Sequence, residues 1–438
     1  MNKVIEPTPK VKAIQRGALT MLVISGVIST IDRAALAVAN PLIRHDMGLS
    51  VAEMGFLLSA FLWAYAFAQL PVGVLLDRFG PRWLLAGGLA LWSAAQAMCG
   101  MVNNTVQFAV ARALLGVGEA PQFPTGARVT RDWFAARHRG RATGTFISSS
   151  YLGTGVAAPF LTVLMLNFGW HNMFIIMGVL GLVMAAIWAA FYRSPADVAL
   201  TAEEHAYRQA GDEIKAASRQ SLTAKQWGSL LKDRTTLGLV LGYFGITYVS
   251  WLFQSWLPGY LQMERHMSIA KVGWTAAIPY TCAVLGALSA GFVVDKLANA
   301  GFSLTNSRRL PICVILLLET AMVASAAVAP SNAVAVAAIS GAMFCGAAAA
   351  SIAWSAISVL SPTAFTGSLG ALQNFGGFTG GALAPIVTGL IVQATGSFVV
   401  ALFVGAGLVL LAACSYLFLV RGPITRLEAE PMGAVKAA

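Results

Sequence analysis

The chain has 438 residues, 57% of them hydrophobic and only 11% charged, with a mean hydropathy of +0.72. Soluble domains carry about 25% charged residues, so this composition excludes a water-covered globular surface and calls for lipid around most of the exterior. The net charge of +11, from 29 Lys and Arg against 18 Asp and Glu, sits in short segments between apolar runs. That pattern reads as membrane topology and argues against a nucleic-acid surface.

Residues 1–16 are basic and lead into an apolar run too long for a signal-peptide core, so they read as a retained cytosolic tail. A spanning helix needs about 20 mainly apolar residues. Twelve segments qualify: 17–39, 53–76, 83–102, 105–127, 141–166, 172–192, 236–260, 270–294, 309–329, 332–359, 367–393 and 397–420. Gly, Ala and Ser are frequent in them, which permits close helix approach. The expected fold is an all-α membrane protein of twelve transmembrane helices in two six-helix pseudo-symmetric halves, 17–192 and 236–420. The polar stretch 193–235 reads as a cytosolic linker with a short amphipathic helix capped by Thr201 ahead of Glu204, and 421–438 as a cytosolic tail.

Charge supports this topology. With the N-terminus inside, 24 Lys and Arg fall in inside segments and 3 in outside segments, leaving Arg33 and Arg112 within spans. The five cysteines lie in or at the ends of apolar runs without metal-ligand spacing, so neither a disulfide framework nor a metal site is implied. The halves repeat weakly. Gly73-Val-Leu-Leu-Asp77-Arg78-Phe-Gly80-Pro81-Arg82 follows span 2, and Gly291-Phe-Val-Val-Asp295-Lys296 follows span 8. Two duplicated halves with a midplane cavity between them form a transporter architecture.

The stretch from Gly73 to Arg82 resembles the loop motif of the major facilitator superfamily. Arg112-Ala-Leu-Leu-Gly116-Val-Gly118-Glu119-Ala120-Pro121-Gln-Phe-Pro124 resembles span 4 of its anion:cation symporter family. Asp32-Arg33 in span 1, Asp132-Trp133-Phe134 with Arg137, Arg139, Gly140 and Arg141 before span 5, and Gln373-Asn374-Phe375-Gly376 in span 11 agree with it. The loop SPTAFTG between spans 10 and 11 departs from the pattern in carrying no basic residue. The resemblance implies the major facilitator fold and proton-coupled uptake of organic anions, chiefly sugar acids and other carboxylates. It implies no enzyme activity and no cofactor. The expected partners are a small carboxylate, protons and the bilayer of the cell inner membrane. A monomer with both termini cytoplasmic is expected.

Intramembrane charge is costly, so Asp32, Arg33, Arg112, Glu119 and Glu319 are the candidates for chemistry. Arg33 and Arg112 lie at similar depth, roughly 10 Å from the outer face at 1.5 Å per residue. Each could grip a substrate carboxylate with two parallel hydrogen bonds, or could pair with a helix carboxylate. Glu119 follows Arg112 by seven residues and shares its helix face, about 10 Å away. Asp32 is then the natural partner for Arg112. The resemblance gives Asp32 and Glu119 proton-coupling roles, with Arg112 beside them, and structural ion pairing is the alternative. Glu319 in span 9 reads as a neutral or backbone-bonded carboxyl against a neighbouring helix.

The resemblance also marks Tyr65, Ser351, Trp354 and Asn374 as substrate contacts, and Ser150 and Tyr151 where several sugar-acid relatives carry a glutamine. Tyr248, Trp251 and Gln254 are further candidates in span 7. Asp77, Arg78 and Arg82 are expected to gate transport without binding substrate. The pairs Gly376-Gly377 and Gly380-Gly381 lack a phosphate-loop pattern and read as packing glycines. A sugar acid (aldonate, aldarate or uronate) is the first substrate class. A small or aromatic carboxylate such as tartrate or phthalate is the second, and an efflux substrate, which would not need paired arginines, is the third.

Overall fold

Helix initiation is written locally in this sequence. Thr8, Ser50, Asn104 and Ser331 each accept a hydrogen bond from the backbone N–H three residues on, which satisfies a donor the first helical turn leaves over. Ser50 and Glu53 form a reciprocal capping box. In the computed structural model, which describes residues 6–209, 224–361 and 366–424, every regular element among those residues is helical. The described chain falls into two compact units. Among the described residues, one holds 6–209 and Ser255–Ala277, and the other holds 224–254, 278–361 and 366–424.

The first unit is built from α1 (Pro9–Met47), α2 (Val51–Cys99), α3 (Thr105–Glu119), α4 (Gln122–Trp133), α5 (Ala136–Phe191) and α6 (Ala202–Gln209). A straight helix of 49 residues would be about 74 Å long, so α2 cannot be one rod. Gly80, with φ 71° and ψ 167°, divides it between spans 2 and 3. Gly169, with φ 78°, divides α5 between spans 5 and 6. These are backbone conformations that side chains with a Cβ rarely adopt.

Span 4 departs from the sequence expectation in being two helices. Pro121 and Pro124 have no N–H to offer the carbonyls four residues back. The ladder lapses at Ala120–Pro121, immediately after Glu119. The Ala120 carbonyl, which Pro124 cannot serve, instead accepts a bond of 3.0 Å from Nε2 of Gln69.

The linker helix α6 docks on this unit. Thr201 and Glu204 cap each other reciprocally. Tyr207 is buried with Val11 and Ala135, and Gln15 donates to both its hydroxyl and the Trp133 carbonyl.

The second unit contains α7 (Ala224–Lys232), most of α8 (Arg234–Met263) and α9 (Ile269–Asn299), and α10 (Asn306–Ala327), α11 (Asn332–Leu360), α12 (Thr366–Thr395) and α13 (Val399–Phe418). The glycine pairs of α12 are contact points for α8. A Cβ on Gly377 would lie 2.6 Å from the Tyr243 ring, one on Gly380 2.4 Å from the Phe244 carbonyl, and one on Gly381 2.5 Å from the Trp251 ring. Thr247 closes the contact by donating to the Gly377 carbonyl at 2.8 Å. Close packing is therefore what these glycines do.

Among the described residues, nine helices are long and apolar enough to cross a bilayer. Large apolar side chains such as Leu70, Val74 and Phe292 point outward, each more than 70% exposed. Only an apolar solvent makes such a surface stable.

Candidate functional site

The buried charges of the first unit converge between α1, α2 and α3. Arg33 on α1 donates Nε to Oε2 of Glu119 at 2.6 Å. Ser29, one turn earlier on α1, donates to the same oxygen at 3.0 Å. Glu119 is sealed, whereas Arg33 keeps 20% of its side chain exposed. The sequence brought Arg33 and Glu119 forward as candidates but did not pair them with each other.

Both arginines lie against one ring. The guanidinium carbons of Arg33 and Arg112 are 5.3 and 5.4 Å from the centroid of Phe61, and Arg33 is also 5.2 Å from that of Tyr65. Each such contact is worth about 0.5–2 kcal/mol. The α2 register supplies this platform, since Phe61 and Tyr65 are one turn apart and stack at 5.7 Å. Gly116 of α3 allows the approach. A Cβ there would sit 2.4 Å from the Phe61 carbonyl.

Asp32 and Arg112 are both buried and within electrostatic reach of each other, yet they do not bond. Neither carboxylate oxygen of Asp32 has a hydrogen-bond partner, nor do Nε and Nη1 of Arg112. The Trp92 indole N–H approaches Asp32 without reaching hydrogen-bond geometry. The expected direct Asp32–Arg112 pair is thus not formed in this structure.

The loop motif separates into different tasks. Asp77 pairs at 3.0 Å with Arg128, which also holds Asp132 at 2.9 Å. Arg82 donates Nε and Nη2 to the Ala189 carbonyl and lies over Trp83. Arg78 lies over Phe79. Arg128, which sequence reasoning passed over, is the residue that ties the motif acid to α4. Burial works to lower the Arg128 pKa, but the Asp132 carboxylate beside it and the Asp77 contact together hold the guanidinium above its ordinary value.

Ser150 is half-buried and its carbonyl accepts from Thr154. The Tyr151 side chain lies outside the described part of the structure.

In the second unit Trp354 is 46% exposed and donates its indole N–H to the Tyr243 hydroxyl at 2.8 Å, the rings meeting edge to face. Ser351 donates to the Ala347 carbonyl and Ser355 to that of Ile352. Asn374 is half-buried, beside a fully buried Gln373 whose amide atoms have no partner. Tyr248 is buried, while Trp251 and Gln254 are half-buried. Glu319 is buried with Oε2 unpaired, and its Oε1 faces Gly346 of α11 so closely that a Cβ there would lie 2.8 Å away. It packs against a neighbouring helix, as expected. Tyr243 gave no sequence signal, because a tyrosine in an apolar run looks like any packing aromatic.

Residues 22–385 match the family described as Major Facilitator Superfamily. The chain belongs to the Major Facilitator Superfamily. It is a multi-pass membrane transporter and not an enzyme. It is 41% identical over 420 residues to a probable L-galactonate transporter of Escherichia coli K12, covering 96% of this chain and 92% of that one. It is 34% identical over 410 residues to a D-galactonate transporter of Escherichia coli O6:H1, covering 92% and 94%. Its fold matches, with TM-score 0.77 at 16% identity over 92% of this chain and 96% of the other, a crystal structure of a bacterial homolog to the human lysosomal transporter Spinster in an inward-facing, occupied conformation.

Within this superfamily transporter, the charged cluster of the first unit was found by the cost of placing charge in lipid. The neutral groups that complete it, Ser29, Phe61 and Trp92, carry no such signal.

Proposed function

We propose that the chain takes up a sugar acid, an aldonate first, with protons, by alternating access across a bacterial-type inner membrane. The observation that carries this reading is the 2.6 Å pair between a partly exposed Arg33 and a sealed Glu119. An arriving carboxylate competes with Glu119 for the Arg33 fork. Glu119, losing its counter-charge in a low-dielectric site, faces a desolvation cost of several kcal/mol unless it takes a proton. Anion binding and protonation then favour each other, which is the requirement for symport.

Asp32 and Arg112 supply a second carboxylate and guanidinium that can exchange partners. Tyr65, Ser150 and Tyr151 are proposed substrate contacts in the first unit, and Ser351, Trp354 and Asn374 in the second. The Asp77–Arg128 pair, with Arg78 and Arg82, gates. The two six-helix halves, 17–192 and 236–420, act as the moving bodies of a monomer, with linker 193–235 and both termini cytoplasmic. The relatives named as galactonate transporters support the substrate class.

The test is a thermal-shift series on purified protein with L-galactonate, D-galactonate, an aldarate, a hexuronate, tartrate and phthalate. A ligand at 100 times its Kd stabilises the fold by about 2.7 kcal/mol. Stabilisation by an aldonate supports the reading, whereas stabilisation by phthalate alone overturns the substrate class.

A further inference from the structure

Gln96 is fully buried in the second half of α2, and neither its amide oxygen nor its nitrogen has a hydrogen-bond partner. Leaving a buried amide unpaired is costly.

Its level in the unit follows from contacts along α3 and α4. Ser25 meets Gln122 and Ser29 meets Glu119, so α1 runs antiparallel to this pair of helices. A Cβ on Gly88 would touch the Gly118 carbonyl and Pro121, and one on Gly118 would touch Trp92, while Cys99 lies within electrostatic reach of Arg112. The second half of α2 is therefore antiparallel to α3 as well, and parallel to α1. A Cβ on Gly181 of α5 would meet Ser93 at 2.1 Å and Ile28 at 3.8 Å, which puts Ser93 and Ile28 at one height. One helical turn further on, α1 presents Asp32 and α2 presents Gln96. On its own helix, Gln96 stands between Trp92, which approaches Asp32, and Cys99, which neighbours Arg112.

We propose that Gln96 is a positioning residue that bridges Asp32 and Arg112 in a step of the transport cycle in which these side chains close on one another, its amide N–H₂ serving the carboxylate and its carbonyl serving the guanidinium; in this structure those contacts are not made. The amide offers a donor to an acid and an acceptor to a base from two separate atoms on one planar group. The bridge would give partners to six buried atoms that have none in this structure: both oxygens of Asp32, Nε and Nη1 of Arg112, and both ends of Gln96. The charged and titratable groups facing it are Asp32 with Arg33 from α1, Arg112 with Glu119 from α3, and Cys99 on α2. On α5, His171 meets α2 through its backbone at Gly100 and has an exposed side chain, and residues 172–191 carry no charged or titratable group.

This inference rests on the proton-coupling role given to Asp32 above. A donated N–H favours an ionised carboxylate, so removing the amide should change the pH at which the transporter works without touching the Arg33 anchor. The experiment measures uptake of labelled L- or D-galactonate, whichever gives the larger thermal shift, into proteoliposomes across pH 5–9, with affinity read by calorimetry.

Gln96→Leu is expected to move the uptake midpoint by about one pH unit toward alkaline and to leave affinity within twofold. A wild-type midpoint, or an affinity loss without a midpoint change, overturns the bridge and leaves a packing role. If Gln96→Leu does not insert, Gln96→Met, which keeps the length of the stem and removes both polar ends, is read by the same criteria. Asp32→Asn serves as the reference. If that variant keeps the wild-type pH profile, the coupling role of Asp32 fails. If it loses the pH dependence while Gln96→Leu matches wild type, only the bridge fails.

Discussion

Arg33 commits its Nε to Glu119 and keeps part of its side chain exposed, with the guanidinium over the rings of Phe61 and Tyr65. That geometry makes it an anchor able to change partners. A lysine there would keep the charge but lose the planar fork and its stacking on the rings. Arg33→Lys is expected to weaken substrate binding at least about tenfold, or about 1.4 kcal/mol, read by calorimetry. Unchanged affinity in Arg33→Ala would remove Arg33 from the site.

At this scale, the residues legible in the sequence were those whose presence in lipid is costly: Asp32, Arg33, Arg112, Glu119 and Glu319. The pairing between them was not legible. Arg112 and Glu119 share one helix and drew attention to each other, whereas Glu119 meets a residue 86 positions away. Gln96 escaped notice because an amide in an apolar run carries no charge to mark it.

Helices here are placed by glycines and interrupted by prolines, and both have measurable consequences. Gly377 lies where a Cβ would press on the Tyr243 ring at 2.6 Å, while Gly407 in α13 has nothing within 4 Å. Overpacking of this kind costs about 1–3 kcal/mol, and Gly to Ala in an open helix gains up to about 1 kcal/mol. Gly377→Ala should therefore lower the thermal midpoint in detergent, and Gly407→Ala should leave it unchanged or raise it. Equal midpoints for the two variants would contradict the packing account.

The loop between the two parts of α2 offers a second test. Asp77→Asn removes the charge from the 3.0 Å contact with Arg128. Transport should slow severalfold while ligand affinity stays within a few fold. A large affinity loss in folded protein would place Asp77 in the binding site. The glycine pairs could be read from sequence, because their residue type allows few roles in a helix packed this closely. The break after Glu119 was missed, because the apolar run continues through Ala120–Pro121 and the two prolines were not weighed against the hydrogen-bond ladder.

The helical class and the membrane setting followed from composition and run length, which depend on no single contact. The number of separate helices did not follow, since Gly80 and Gly169 let consecutive spans continue as one element and Pro121 splits another. The account of the whole molecule turns on Glu119 as the group that exchanges Arg33 for a proton.

The measurement that tests this most directly is accumulation of labelled substrate in proteoliposomes by Glu119→Gln, with and without an imposed pH gradient. The amide copies a permanently protonated carboxyl. Removing one partner of a buried ion pair can cost about 3–5 kcal/mol, so the thermal midpoint of the variant is recorded alongside. The account predicts that folded Glu119→Gln loses gradient-driven accumulation and retains substrate exchange, because exchange needs no proton release. Accumulation against the substrate gradient at the wild-type level would contradict it and leave Glu119 a purely structural partner of Arg33.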